Sequence, residues 1–412
     1  MKILFVQITD IHLEAETPIE PARAELIGST IANSHTSCPD SIVMIYSGDF
    51  VWSGKPSDFA QCAIFLNQIE NSILSSFPRT PLSRIICPGN HDCELPKREQ
   101  VRQIIVDSAI KTGIFHGEFF DEALAVHQNF FVFGEQFEPS FKGRKPLWST
   151  VSNSLGWQIS IDAATRTLNF ICLNSAWLSL KHEDPGTIHF PADDFLSGEE
   201  NVDLTIGVIH HPLSWMNPET AHRLRQGLLH RVDFLFTGHE HTAVSLTLKD
   251  EITNCEVKLI EGASFFDKNT ANNDGFVTVM ADLDASSYSP RLHKWNIGGY
   301  SSFVGAMPYD PQNDASYNYA LARKAANGTF PRFSLEFDRW LDDAGLPLFN
   351  GENENIGLGD VYTVPELRTL RIHGAPTLVR PIDELTKLLD YSFAVVLGSS
   401  NSGKTSLAFA ST

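Results

Sequence analysis

The sequence predicts an α/β fold whose buried strands lead into clusters of polar residues. Two observations support this prediction. Short apolar runs bounded by Gly or Pro recur along the chain, as is typical of strands that are covered on both faces. Five of these runs lead into short blocks of potential metal-binding residues, which read Asp10-Ile11-His12, Gly48-Asp49, Gly89-Asn90-His91-Asp92, His210-His211-Pro212 and Gly238-His239-Glu240-His241.

The strands can be assigned in order along the chain. Those that precede the polar blocks are Ile3 to Val6, Ile42 to Tyr46, Ile85 to Cys87, Ile206 to Ile209 and Phe234 to Phe236. Since ligand sites in layered α/β folds form at the carboxyl ends of strands, we expect the blocks to meet at one edge. Three further strands are predicted, at Leu168 to Leu173, Val257 to Ile260 and Gly275 to Met280. One helix is predicted earlier in the chain, from Phe59 to Leu74.

Changes in composition divide the chain into three parts. The first domain is expected to span residues 1–300, with Trp295 and Gly298-Gly299 at its end. Residues 301–372 are expected to form a helical and linker segment, in which Asn313 to Asn327 suits a short helix. Residues 373–412 would then hold the N-terminal part of a second domain.

Composition argues against several classes of protein. The formal net charge of -19 disfavours binding of long duplex nucleic acid, because such binding neutralises phosphates with Lys and Arg. The 6 cysteines include no CxxC pair, so a disulfide framework is not expected and a reducing, cytoplasmic location fits better. The apolar start from Met1 to Ile8 is too short for a signal peptide, and no run is long enough to cross a bilayer.

The polar blocks supply oxygen and nitrogen donors for two adjacent divalent metals. Asp10 and His12 are two positions apart, so a chain leaving a strand can aim both at one ion, and Asp49 can bridge. Gly48 and Gly89 are expected to let the backbone turn sharply there. Mixed ligation of this kind suits Mn, Fe, Zn or Ni better than Mg or Ca. Either aspartate alone is equally well explained as a turn residue; the conjunction of the five blocks favours a site.

The ordered pattern DxH, GD, GNHD, HxP and GHxH resembles the calcineurin-like metallophosphoesterase superfamily over about residues 1–300. The GNHD and His-His-Pro forms are most similar to its cyclic-nucleotide and glycerophosphodiester phosphodiesterase branch. The resemblance implies two packed β-sheets flanked by helices. It also implies that the first metal is held by Asp10, His12, Asp49 and His241, and the second by Asp49, Asn90, His210 and His239.

The resemblance further implies a metal-dependent phosphodiesterase or phosphatase that uses the two-metal centre and a bridging hydroxide. In that family His91 would protonate the leaving oxygen or stabilise the transition state, and Asp92 would orient His91. Nucleotides are among the candidate substrates of such an enzyme. The alternative is a non-catalytic sensor or scaffold that binds a phosphorylated ligand without turning it over.

Several residues around the motifs stay open to two interpretations. His211 is either a substrate contact or a structural residue, and Asn174, which follows a predicted strand, is a further candidate for a substrate contact. The aromatic segment from about Phe119 to Asp203 either caps the metals or packs in the core. We expect Cys93 to be a buried bystander thiol.

A separate motif lies near the last residue. Gly398-Ser399-Ser400-Asn401-Ser402-Gly403-Lys404-Thr405 matches GxxxxGKT after the apolar run Phe393 to Leu397. In such a P-loop, backbone N–H groups around Gly398 and Gly403 cradle phosphates, Lys404 reaches the β and γ oxygens and Thr405 holds Mg²⁺.

The P-loop resembles the start of a signalling-type P-loop NTPase domain of STAND/NACHT-like architecture. We expect it to be cut within its first helix, so that the chain as given has no ATPase activity. In the full-length protein it would bind ATP and Mg²⁺, regulate the phosphoesterase and mediate oligomerisation. A third interpretation makes the NTPase the main function and the first domain its regulator.

Overall fold

The structure is a computed structural model. It describes residues 1–318 except 18, 98, 113–117, 148–153, 164, 192–201, 267–273 and 314, together with residues 367–368 and 381–382. The chain divides into two compact units, Met1–Ala325 and Ala326–Thr412. Within the second unit, the described residues form one antiparallel pair, Leu367–Arg368 with Pro381–Ile382. The fold described below belongs to the first unit.

Strands and helices alternate through the first half of this unit. The described helices are α1 (Pro21–Glu25), α2 (Ile27–Ser34), α3 (Pro56–Ser76), α4 (Glu99–Thr112), α5 (Glu118–Ala125), α6 (Gln128–Phe137) and α7 (Pro218–Leu229). The described strands are β1 (Lys2–Ile8), β2 (Ser41–Tyr46), β3 (Leu82–Ile86), β4 (Lys145–Pro146), β5 (Gly156–Ala163), β6 (Arg166–Leu173), β7 (Leu204–Ile209), β8 (Phe234–Thr237), β9 (Val244–Asp250), β10 (Cys255–Glu261), β11 (Gly275–Asp282), β12 (Ser287–Asn296), β13 (Gly299–Val304), β14 (Met307–Pro308) and β15 (Tyr317–Asn318). Each strand and the helix predicted from the apolar runs is confirmed within a few residues.

The strands form two sheets. The first has 8 strands in the order β14-β13-β12-β11-β1-β2-β3, with β15 paired to β12. The second has 7 strands in the order β4-β5-β6-β7-β8-β10-β9. Strands β1, β2 and β3 are parallel to one another, and so are β6, β7, β8 and β10. Parallel strands end at a common edge, which places the segments after β1, β2 and β3, and those after β7 and β8, side by side.

The two sheets pack face to face over an apolar core. Phe5 of β1 contacts Phe234 and Phe236 of β8, with ring centroids 6.1 Å and 5.7 Å apart. On the outer face of the first sheet, α3 packs against α1, α2 and α6. A second apolar cluster covers the outer face of the second sheet and includes Trp177 and Leu224. The fold is therefore the two-sheet α/β sandwich flanked by helices that the family resemblance implied.

The aromatic segment between Phe119 and Asp203 supplies core side chains. Phe130, Phe131, Phe133 and Trp157 are all buried in the main cluster. Ordinary packing therefore accounts for these four rings, since none of them is left to cap the site. Trp148 lies outside the described residues.

The region around residue 300 differs from the prediction. Trp295 and Gly298-Gly299 lie in a hairpin that joins β12 to β13, so the first sheet continues past residue 300. The predicted helix from Asn313 to Asn327 is wrong at its start, because Tyr317 pairs with Tyr288 as a strand residue. Residues 319–327 lie outside the described part. Tyr317 and Asn318 pair with the start of β12, Ser287 and Tyr288, because β13 pairs only with Leu292 to Asn296 of that strand.

Two features bear on the environment of the chain. All 6 cysteines are free in the structure. Among the described residues, no helix combines the length and the apolar character required to cross a membrane.

Candidate metal centre

The five polar blocks converge at the carboxyl edge of the parallel strands, around the carboxylate of Asp49. Its Oδ2 lies 3.1 Å from Nε2 of His12 and 3.3 Å from Nε2 of His210. The same residue follows β2, the strand between β1 and β3, and is only 1% exposed. One carboxylate therefore touches imidazoles from opposite sheets, as a bridging ligand must.

Asp10 forms one side of the cluster. Its Oδ1 lies 3.3 Å from Nε2 of His241. Its Oδ2 accepts hydrogen bonds from the Thr9 hydroxyl at 2.7 Å and from the backbone N–H of His239 at 3.1 Å. The first oxygen is thus directed toward His241 and the second is held by the protein.

Asn90 forms the other side, at the start of a single 3₁₀ turn, Asn90–Asp92. Its Oδ1 lies 3.1 Å from Nε2 of His210 and 3.2 Å from Nδ1 of His239. Nδ1 of His210 donates to the backbone carbonyl of Ser47 at 2.8 Å, which leaves Nε2 as the atom facing Asn90 and Asp49. A backbone contact of this kind fixes the tautomer of a metal-binding histidine.

The backbone of the site is strained at the candidate ligands themselves. Asp10, His12, Asp49, His239 and His241 all have positive φ, between 49° and 74°. Among the described non-glycine residues, only Asn254 and Ser286 share this conformation. Left-handed backbone in side-chain-bearing residues is costly and clusters at functional sites. The convergence of five such residues marks this edge of the sheets as functional.

Close packing at three glycines allows the blocks to meet. Gly48 has φ +105°, as predicted for a sharp turn, and a Cβ there would lie 2.4 Å from Nδ1 of His210. Gly89 differs from the prediction: its φ of -110° is open to any residue, but a Cβ would lie 2.1 Å from Oδ1 of Asp49. A Cβ at Gly238 would lie 2.2 Å from the Thr9 hydroxyl. Gly89 and Gly238 are therefore required for space and not for a turn.

The donor atoms fit divalent metal ions. Donor atoms lie within 4.8 Å of one another in four sets: Asp10, His12 and His241; His12, Asp49 and His91; Asp10, Asp49 and His210; and His210, His211 and His239. Oδ1 of Asp10 is buried and makes no hydrogen bond, although a buried carboxylate oxygen is costly to leave without one. A cation at this position would satisfy it.

The electrostatics of the cluster point the same way. Burial disfavours the ionised form of Asp49, but the charges of His210 and His91 and the hydrogen bonds of His12 and His210 hold its pKa well below the usual value. Burial lowers the pKa of His210, yet the Asp49 and Asp10 carboxylates outweigh it and raise that pKa to about 10. Nearby positive charge thus stabilises the ionised form of the buried carboxylates, and divalent ions would supply such charge.

His91 lies beside the cluster with its ring half-buried. Its backbone N–H donates to Oδ1 of Asp49 at 2.8 Å, and its Nδ1 lies 3.1 Å from the carbonyl oxygen of Trp52. The ring also contacts His12, with centroids 4.8 Å apart. The other ring nitrogen remains to act on a substrate.

Asp92, which the family resemblance assigns to orienting His91, has its carboxylate on backbone N–H groups of the neighbouring motifs. The Asp92 carboxylate accepts backbone N–H bonds from Asp49 at 2.9 Å, Gly89 at 2.8 Å and Val51 at 3.2 Å. Asp92 is fully buried and ties two polar blocks together. The orienting contact of His91 comes from the Trp52 carbonyl instead, because the 3₁₀ turn directs the Asp92 side chain inward.

His211 lies in a buried network next to the second set of donors. Its backbone N–H donates to the Ser175 hydroxyl at 3.2 Å, and the same hydroxyl lies 2.8 Å from its Nδ1. Its Nε2 lies 3.3 Å from Oε2 of Glu183. Its Nδ1 is held by the Ser175 hydroxyl, but its buried Nε2 makes no hydrogen bond, and it offers a donor atom within 4.8 Å of those of His210 and His239. His211 therefore stays open to both interpretations. Asn174 is buried too, and its amide donates to the Ser154 carbonyl.

Sequence reasoning missed several residues that surround the cluster. Trp52 stacks on His91 with ring centroids 4.4 Å apart, and Trp215 meets His239 edge-on at 4.1 Å. Glu183 comes from a loop 27 residues before His210, so no local pattern signals it. Trp52 and Trp215 each lie within a few residues of a motif, and this proximity is the one signal that could have found them. Cys93 is buried as expected, with Sγ 3.1 Å from Nε2 of His127. The P-loop residues Gly398 to Thr405 lie outside the described residues.

Comparisons with known proteins were made for the whole chain. A family model described as calcineurin-like phosphoesterase matches residues 3–243. Solved structures with a similar fold include Vacuolar Protein Sorting 29 from Cryptosporidium parvum, at 9% identity and a TM-score of 0.32, covering 77% of this chain and 99% of that one. A novel phosphatase from Mycoplasma pneumoniae aligns at 10% identity and a TM-score of 0.34, covering 76% of this chain and 95% of that one. No curated protein matches the chain.

Proposed function

Because the chain belongs to the calcineurin-like phosphoesterase family, whose members hydrolyse phosphoesters with divalent metals, we propose that it is a phosphodiesterase with a dinuclear centre. The observation that carries this proposal is the position of Asp49, whose Oδ2 lies 3.1 Å from His12 and 3.3 Å from His210. A shared carboxylate between two donor sets is the arrangement that holds a pair of ions.

The donor sets divide between two ions. Asp10, His12 and His241 would hold one, and Asn90, His210 and His239 the other, with Asp49 shared between them. Two divalent ions at such a site polarise the phosphoryl oxygens and lower the pKa of water. Mn, Fe, Zn and Ni all suit this mixture of imidazole and oxygen donors.

The side chains of the protein supply the remaining chemistry. His91 in its imidazolium form donates a hydrogen bond from Nδ1 to the Trp52 carbonyl, which fixes the ring. As the oxygen of water forms its new bond to phosphorus and the ester P–O bond breaks, Nε2–H of His91 would give its proton to the leaving oxygen, so that the alcohol leaves neutral. Asp92 holds the His91 loop against Asp49 through backbone N–H groups. This division of roles makes His91 the general acid and Asp92 a positioning residue.

The proposal can be tested with bis(p-nitrophenyl) phosphate and added Mn²⁺. We expect turnover by the wild type. His91→Ala should lower kcat by about 10²–10⁴-fold, the range for loss of a general acid, while metal content stays near the wild-type value. Asp49→Ala should lose both turnover and bound metal.

Controls separate these effects from damage to the fold. His222→Ala changes an exposed histidine on α7 and should alter neither metal content nor rate. Metal content is read by elemental analysis after reconstitution. Absence of turnover on every mono- and diester by metal-loaded protein would refute the proposal, and tight ligand binding without turnover would establish the sensor alternative.

We also propose that Gly398 to Thr405 binds ATP with Mg²⁺ and regulates the phosphoesterase. The support is the GxxxxGKT sequence alone. A fluorescent ATP analogue should bind the wild type, and Lys404→Ala should weaken binding at least tenfold. Equal binding by both proteins would rule out a P-loop in this segment.

A further inference from the structure

Trp52 is a large aromatic residue left exposed at the edge of the site. Its side chain is 45% exposed, although the residues before it, Phe50 and Val51, are buried. The indole stacks on the His91 ring with centroids 4.4 Å apart and planes at 29°, and its edge meets His12 at 5.3 Å. An exposed aromatic surface thus adjoins the proposed general acid.

The backbone of Trp52 is held on two sides. Its N–H donates to the Leu13 carbonyl at 3.2 Å, and its carbonyl faces Nδ1 of His91 at 3.1 Å. Val51 is bound in turn by the Asp92 carboxylate. The backbone that carries the indole is therefore held by the loops of the candidate ligands. This limits the conformational entropy that the indole loses when a second ring packs on it.

The tryptophan at the other side of the site is arranged differently. The indole N–H of Trp215 donates to the carboxylate of Glu240, and its ring meets His239 at 4.1 Å, close to perpendicular. Trp157 and Trp177 are buried in the core. Of the indoles in these described positions, Trp52 is the one with a large solvent-exposed surface.

We propose that Trp52 determines substrate specificity by stacking on a planar ring carried by the leaving group of the diester. This inference rests on the proposed function. His91 must reach the leaving oxygen, so the group attached to that oxygen has to pass beside His91 and Trp52. A ring there gains a stacking partner, whereas a small aliphatic group leaves the indole in water.

The charge of the protein restricts the substrate further. With a formal net charge of -19, the chain has no global attraction for long polyanions. The substrate class is therefore a small phosphodiester with a heterocyclic or aryl leaving group, for which stacking replaces electrostatic attraction.

The experiment compares matched dinucleotides that differ by one base. The kcat/KM of thymidylyl-(3′→5′)-thymidine is compared with that of two analogues, each of which lacks the base of one nucleoside. Analysis of the products identifies which of the two sugar hydroxyls is the leaving group. The leaving sugar hydroxyl is the same in each pair, so the ratio of kcat/KM reports the contribution of the ring. We expect wild type to prefer the substrate with a base on the leaving side by roughly tenfold or more, the range for stacking of one base on an aromatic side chain.

Two variants separate stacking from support of His91. Trp52→Leu keeps an apolar side chain and the backbone carbonyl but removes the ring, and should bring the ratio close to one. Trp52→Phe keeps a ring and should retain most of the preference. If Trp52→Leu lowers kcat/KM equally for both substrates, Trp52 only positions His91 and the proposal is overturned.

The outcomes also distinguish this proposal from the proposed function. Turnover of bis(p-nitrophenyl) phosphate with no preference for a base on the leaving side would overturn the role of Trp52 and leave the phosphodiesterase intact. Absence of all turnover on phosphoesters would remove the proposed function and this inference with it.

Discussion

At the scale of single residues, the site depends on glycines that have no side chain as much as on the candidate ligands. The missing Cβ of Gly89 lets the carboxylate of Asp49 approach the backbone, and that of Gly48 makes room for His210. Asp92 then joins the two loops through backbone N–H groups of Asp49, Gly89 and Val51. The ligands are placed by contacts that carry no metal-binding chemistry themselves.

Gly89→Ala should therefore disable the site although the backbone φ of -110° tolerates alanine. The new Cβ would lie 2.1 Å from Oδ1 of Asp49, so the carboxylate or the loop has to move. A shift of about 1 Å at a catalytic centre costs about 10²-fold in rate, and overpacking costs about 1–3 kcal/mol of stability. Elemental analysis, kinetics and thermal unfolding measure these three losses.

Gly143→Ala is the matched control, because a Cβ there meets nothing within 4 Å. It should leave rate, metal content and melting temperature unchanged. A Gly89→Ala variant that behaves like this control would show that the loop yields without disturbing Asp49.

The sequence predicted the candidate ligand residues but not the contacts that support them. Blocks such as Asp10-Ile11-His12 are visible because donors stand at strand ends. The Trp52 carbonyl that fixes His91 is not visible, because every residue has a carbonyl and only the path of the backbone decides which one is used. The same reason explains the direction of the Asp92 side chain.

At the scale of elements, the parallel strands must be aligned for their ends to coincide. A buried polar network contributes to this alignment between α3, β2 and β3. The carboxylate of Glu70 on α3 accepts from the Tyr46 hydroxyl on β2 at 2.8 Å and from Nε of Arg84 on β3 at 2.9 Å. Glu70 is only 3% exposed, so its carboxylate oxygens depend on these partners for hydrogen bonds.

Glu70→Ala should lower the free energy of unfolding by about 3 kcal/mol, because it removes the acceptor of the Tyr46 hydroxyl and leaves Arg84 with its longer contacts to the Phe137 carbonyl and the Glu138 carboxylate. Glu219→Ala is the control, because it removes an exposed Glu–Arg pair on α7. The control should change stability by less than about 0.5 kcal/mol. Urea denaturation of both variants measures the difference, and equal losses would contradict a structural role for the buried network.

The core strands were predictable because a short continuous apolar run such as Ile42 to Tyr46 is typical of a strand that is buried on both faces. The edge of the first sheet was not. Tyr317 joins β12 through backbone hydrogen bonds to Tyr288, and a polar two-residue strand has no hydrophobic pattern to announce it. A hairpin and a domain boundary share the same turn residues, so the sequence alone does not distinguish them at Trp295 and Gly298-Gly299.

At the scale of the whole molecule, burial also determines the response of the fold to acid. His293 is fully buried between the Thr278 and Ser302 hydroxyls, and burial lowers its pKa to about 3. His35 contacts the same Thr278 hydroxyl, and burial with the charge of Arg291 lowers its pKa to about 2. Both rings are neutral in the folded protein under conditions where an unfolded chain protonates them.

The sign of the pH dependence follows. Below the ordinary histidine pKa of about 6.5, the unfolded chain binds protons that the folded chain excludes, so acid favours unfolding. Each such histidine should reduce the free energy of unfolding by about 1.4 kcal/mol per pH unit between roughly pH 6 and pH 4. Urea denaturation of metal-free protein across this range measures the slope.

His293→Gln isolates the contribution of one ring. The slope of its free energy of unfolding against pH should be smaller than that of the wild type by about 1.4 kcal/mol per pH unit, which corresponds to one proton. This holds even if the variant is less stable overall. His222→Gln, at an exposed position on α7, serves as the control. An unchanged slope in His293→Gln would mean that this ring protonates in the folded state.

The left-handed backbone at Asp10, His12, Asp49, His239 and His241 limits how this chain can change over time. Branched residues such as Val or Ile fit that conformation poorly, whereas Gly and Asn adopt it cheaply. All five positions carry Asp or His, which together with Asn enter this conformation more readily than other side chains. A branched residue at any of them would remove a candidate ligand and add backbone strain in the same step.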